Sequence, residues 1–80
     1  MTERIENIKD KNDFIQFVKD LAQDYGDHYE EWANTTIPDF LQQMAGWVED
    51  YSVCPANVFA WEKVDFRVLA SILYMGKLYE

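Results

Sequence analysis

The stretch TIPDFLQQMAGWVEDY, residues 36–51, decides the fold. Within it Ile37, Phe40, Leu41, Met44, Ala45 and Val48 recur at intervals of three and four, which at about 3.6 residues per turn lines one face of a helix. Trp47 and Tyr51 widen that stripe on one side. Thr36 is the expected N-cap, Pro38 lies in the first turn where its missing N–H is harmless, and Asp39 complements the helix dipole. The spacing thus predicts a helix over 36–50. Gly46 falls on the polar side with Asp39, Gln42, Gln43, Glu49 and Asp50, at a cost of about 1 kcal/mol relative to Ala. Chance or close packing would each account for it.

Towards the N-terminus, Phe14, Phe17, Val18, Leu21, Ala22 and Tyr25 repeat the same spacing, with Lys19, Asp20, Gln23 and Asp24 on the opposite face. Asp10 is placed to cap this helix, Asp13 adds negative charge to its first turn, and Gly26 is a natural stop. The predicted range is 11–25, and Ile5 and Ile8 are expected to fold over one end. Towards the C-terminus, Cys54-Pro55 interrupts any helix, so 52–57 reads as a loop. The stretch from Val58 to Val64 fits either a separate helical turn or an extension of the last helix. Beyond Asp65, an expected N-cap, Phe66, Leu69, Ala70 and Leu73 form one stripe and Val68, Ile72, Met75 and Tyr79 an adjacent one. A helix over 66–79, apolar around most of its circumference, is expected to be the central and most buried one. No alternating strand pattern competes, so the prediction is an all-α fold: a three-helix bundle with helices at 11–25, 36–50 and 66–79 in a single domain spanning 1–80.

Eighty residues leave no room for a second folded domain, and 49% apolar residues with only three Gly and two Pro argue against disorder. The net charge of −8 is uneven. No Lys or Arg lies between Lys19 and Lys63, whereas Asp20, Asp24, Asp27, Glu30, Glu31, Asp39, Glu49, Asp50 and Glu62 all do; the two ends hold six acids and seven bases. Such a field repels nucleic acid, so phosphate-backbone binding is not expected. A lone cysteine makes no internal disulfide, no apolar run reaches membrane-spanning length, and the polar start is unlike a signal peptide. A cytoplasmic location without membrane attachment is the expectation.

Bond-making chemistry finds few hands. Nucleophilic catalysis would need His28, the one histidine, beside Cys54, and no third group is placed to orient it. Asp24, Asp27, His28 and Glu31 have the spacing of one helical face and suit a divalent ion, but Gly26 interrupts that face and no established ligand framework is matched. The adjacent carboxylates Glu30/Glu31 and Glu49/Asp50 diverge by about 100° on a helix, so neither pair converges. The three glycines are too far apart to cradle phosphate. Neither an enzyme nor a cofactor is therefore expected. Recognition of a basic protein is: Asp27, Glu30, Glu31, Glu49 and Asp50 would steer it, while Tyr29 and Trp32 either anchor the contact or pack across the helix ends. Self-association through an aromatic patch is the main alternative, and a metal-dependent role at the His28 cluster a lesser one.

Trp32-Ala33-Asn34, Thr36 to Leu41, Met44 to Asp50, Leu69 to Leu73 and the terminal Tyr79-Glu80 together resemble a family of small acidic bacterial domains of unknown function. Its pattern is W-x-N, an FL helix ending in A-x-W-x-x-D, and a final helix closing in YE. The likeness runs from Asp13 to Glu80; Phe66 stands where the family often has Trp, and the 52–64 loop departs from the usual version. The resemblance implies a shared fold, no transferable catalytic residue, and a similarity in size and charge to immunity proteins encoded beside bacterial toxins.

Overall fold

A computed structural model describes residues 2–53 and 59–80. It is all-α, as predicted, with helices α1 (Thr2–Glu6), α2 (Lys11–Asp27), α3 (Ile37–Tyr51) and α4 (Phe66–Leu78) and no strand among the described residues. Single 3-10 turns occupy Tyr29–Glu31 and Trp61–Lys63. The chain divides into two compact units, Met1–Gln43 and Met44–Glu80, the division falling inside α3.

In the first unit, α2 starts where its cap is written. Asp10 Oδ1 accepts from the Asp13 N–H at 2.8 Å, and Asp13 Oδ2 reaches back to accept from the Lys9 N–H at 3.1 Å. Two otherwise orphaned donors are satisfied reciprocally. α1 is tied to α2 by Arg4, whose guanidinium donates to the Asp20 carboxylate and lies 5.8 Å from the centroid of the Phe17 ring. The helix does not stop at Gly26, as the sequence suggested, but continues to Asp27. Gly26 has no positive φ, so the left-handed stop that glycine permits is not used. Instead His28 closes the helix by donating its N–H to the Asp24 carbonyl at 2.8 Å, and Gln23 Nε2 donates to Asp27 Oδ1 along the last turn.

Thr36 caps α3 as expected, its Oγ1 accepting from the Asp39 N–H at 3.2 Å. No Cβ contact explains Gly46: a methyl group there would meet nothing within 4 Å.

The second unit is organised by rings. Trp47 stacks on Tyr51 at 5.0 Å and meets Phe59 and Trp61 at 5.7 and 5.9 Å; Trp61 in turn lies nearly parallel to Phe66 at 6.3 Å. The Trp61–Lys63 turn is separate from α4, because Val64 and Asp65 are extended and Asp65 Oδ1 caps the helix through the Val68 N–H at 3.1 Å. Residues 54–58, which include most of the predicted loop and Cys54, lie outside the described residues.

The prediction that the last helix is the most buried element is corrected. No described residue is buried, and on α4 Leu69 and Ile72 remain 44% and 47% exposed. Within its own unit the ring cluster reaches Phe66 in the first turn of α4, and the two apolar stripes beyond it stay open.

Candidate functional site

The site residues expected from sequence fall into two groups. Asp27, Tyr29, Glu30, Glu31 and Trp32 succeed one another from the end of α2 through the 3-10 turn, all in the first unit. Glu49 and Asp50 are exposed on the last turn of α3, in the second unit.

The first group is built on a reversal of the chain. α2 ends, the backbone makes one tight turn, and Trp32 folds back so that its indole N–H donates to Asp24 Oδ2 at 2.9 Å. The indole packs edge-on against Tyr25 at 5.2 Å and stacks on Phe40 at 6.2 Å. Tyr25 completes the arrangement by donating its hydroxyl to the Thr35 carbonyl at 2.8 Å. Trp32 is therefore half-buried and packs across the helix ends, the second of the two placements expected for it. Tyr29 does face water: it is 52% exposed, with its ring edge-on to Tyr25 at 5.3 Å. Asp27, Glu30 and Glu31 are exposed around it.

Between these elements opens an apolar cleft of about 260 Å³ lined by Tyr25, Asn34, Thr35, Thr36, Ile37 and Phe40. Sequence patterning does not reveal it. Tyr25, Ile37 and Phe40 read as members of helix stripes, and it is the Tyr25 to Thr35 and Trp32 to Asp24 bonds that bring the loop against the end of α2.

The four residues of the His28 cluster are not gathered into one ligand set. Asp24 is engaged by Trp32, His28 Nδ1 and Glu31 Oε2 are 3.9 Å apart, and among the described residues no three His, Cys, Asp or Glu side chains converge to hold an ion. A His28/Cys54 pair involves a residue outside those described.

A carboxyl with a displaced titration lies at Asp20 on α2. Gln16 Nε2 donates to Asp20 Oδ1 at 2.8 Å and Arg4 donates to the other oxygen, so both bonds favour the charged form and hold the Asp20 pKa below its ordinary value. No described helix is long and apolar enough to cross a membrane.

Comparison with curated proteins and with solved structures gives no match. A family model, "Family of unknown function (DUF7660)", matches residues 10–80, starting at the Asp10 cap of α2 and leaving α1 outside. With nearly the whole sequence inside that match, the chain belongs to this family of unknown function.

Proposed function

We propose that this domain is a non-enzymatic binding module for a basic protein, in its sharpest form an immunity-type inhibitor of a basic bacterial toxin, acting in the cytoplasm. The observation that carries it is the turn after α2, where exposed Tyr29 stands among exposed Asp27, Glu30 and Glu31 in a segment devoid of Lys and Arg. A rigid aromatic surrounded by one sign of charge combines steering with a contact able to fill a partner's surface. Glu49 and Asp50 carry the same sign of charge on the second unit.

Affinity capture from native lysate, with the untagged domain as competitor, supplies the partner. Stopped-flow association then tests the mechanism: Glu30→Lys with Glu31→Lys slows the on-rate about tenfold at low salt and flattens its salt dependence, as expected for steered encounter. An on-rate unaffected by the double reversal rejects the steering role. A toxin gene beside this one would favour the immunity form.

Self-association is the second reading, favoured by the open stripe of Leu69, Ile72 and Leu73 on α4. A monomer in sedimentation that stays a monomer at every concentration dismisses it.

A further inference from the structure

The cleft bounded by Tyr25 and Phe40 has a size, a lining and a charge that select an occupant. At about 260 Å³ it falls below the roughly 300–1,000 Å³ typical of small-molecule sites, and it is open to solvent beside Ile37, which is 76% exposed. One long side chain suits that space. The Tyr25, Phe40 and Ile37 side chains line the space and can cover an aliphatic stem, while Asn34, Thr35 and Thr36 bring oxygens to it, of which the Thr35 carbonyl already accepts from Tyr25 and Thr36 Oγ1 from the Asp39 N–H.

The sign of the charge is set by the residues that flank the rings. Asp24 precedes Tyr25 and Asp39 precedes Phe40 in the chain, with Asp24 Oδ2 also accepting from the Trp32 indole N–H. The carbonyl end of α2 and the amide end of α3 both terminate here, and their opposite partial charges of about one half offset each other. The carboxylates are left to set the potential, and residues 20–43 contain no Lys or Arg to neutralise them.

We infer that this cleft receives an arginine side chain of the basic partner, its guanidinium stacked on Tyr25 or Phe40 and forked towards the threonine and asparagine oxygens, an inference that rests on the basic-partner reading above. Arginine is favoured over lysine because a planar, weakly hydrated cation stacks on rings and donates in several directions at once.

The test uses the isotope-labelled full chain titrated by NMR with N-acetyl-arginine-N-methylamide, and with its lysine and citrulline counterparts. The arginine probe is expected to shift the Thr35, Thr36 and Ile37 amides saturably. Citrulline, the uncharged look-alike, should bind at least threefold more weakly, lysine at least twofold more weakly, and Asp39→Asn should weaken the arginine probe about threefold. Asp39 is exposed, so the variant folds. Equal binding of citrulline overturns the charge basis, and equal binding of lysine overturns the choice of arginine. Shifts confined to Asp27, Glu30 and Glu31 overturn the cleft while leaving the acidic docking surface standing. Absence of any saturable shift overturns the cleft as well, and the separate on-rate measurement at Glu30 and Glu31 then decides the wider reading.

Discussion

The Trp32 indole N–H donates to the Asp24 carboxylate at 2.9 Å across the turn that ends α2, and both side chains are half-buried. A hydrogen bond to a charged group in partial shelter contributes more than a neutral pair on the surface, on the order of 1–2 kcal/mol here. Asp24→Ala should therefore lower the unfolding free energy measured by urea titration by that much and leave the indole donor without its acceptor. Trp32→Phe keeps the ring against Tyr25 and Phe40 and should cost less. A double-mutant cycle isolates the pair, and a coupling energy near zero would show that ring packing alone holds the turn.

Tyr25 holds the other side of the same reversal. Its hydroxyl donates to the Thr35 carbonyl at 2.8 Å, one residue before the cap of α3. Tyr25→Phe removes one hydrogen bond and no ring, so about 1 kcal/mol should be lost. The accompanying sign is faster amide exchange at Asp39 and Phe40, whose N–H groups donate to Thr36, with the protection of mid-α2 amides unchanged. Uniform loss of protection would mean that the bond supports the whole unit and not the loop.

How much of this is legible in the sequence depends on the separation of the residues involved. The caps at Asp10, Thr36 and Asp65 are readable because each acts on a backbone N–H three residues away, a distance within one helical turn. The end of α2 departs from the stop expected at Gly26, since glycine permits a left-handed stop without requiring one, and the His28 N–H provides another closure. Trp32 bonding to Asp24 has no such signal: eight residues separate them, and only the tightness of the turn between makes them neighbours. α4 exposes a different limit. Periodicity tells which positions are apolar, and says nothing of whether an element stands opposite to cover them.

Asp20 gives the chain an acid-sensitive tie between α1 and α2. Its folded pKa lies below the ordinary value of 3.8, first because Gln16 donates to it and then because Arg4 does. A depressed carboxyl stabilises the fold above the unfolded-state pKa, and that contribution disappears as pH falls through the lower folded value. The Asp20 carboxyl carbon should titrate below the ordinary carboxylate value of 3.8 in an NMR pH series. Arg4→Gln should move it upward only in part, because the Gln16 bond survives. A full return to 3.8 would assign the whole displacement to Arg4.

Gly46 lies inside α3 with ordinary helical φ, and a Cβ added there meets no atom within 4 Å. Gly46→Ala should raise stability by about 0.5–1 kcal/mol through the lost freedom of the unfolded chain, with no packing change. Thermal unfolding measures it. A destabilised alanine variant would reveal a close neighbour at Gly46, and hence a reason for the glycine.

Trp61 joins the rings of the second unit, nearly parallel to Phe66 at 6.3 Å, edge-on to Phe59 at 5.3 Å and tilted against Trp47 at 5.9 Å. Each such pair contributes about 0.5–1.5 kcal/mol beyond area burial, and Trp61 is half-buried, so Trp61→Ala should cost about 2–3 kcal/mol, less than truncation in a closed core. Trp61→Phe should recover more than half of that loss, since a smaller ring can still stack on Phe66. Near-UV circular dichroism reports the same event optically, through loss of the Trp47–Trp61 coupling in both variants. If alanine and phenylalanine were equally damaging, the indole's size and not ring stacking would hold Phe59 and Phe66 in place, and the capping of α4 by Asp65 would then be its principal local anchor.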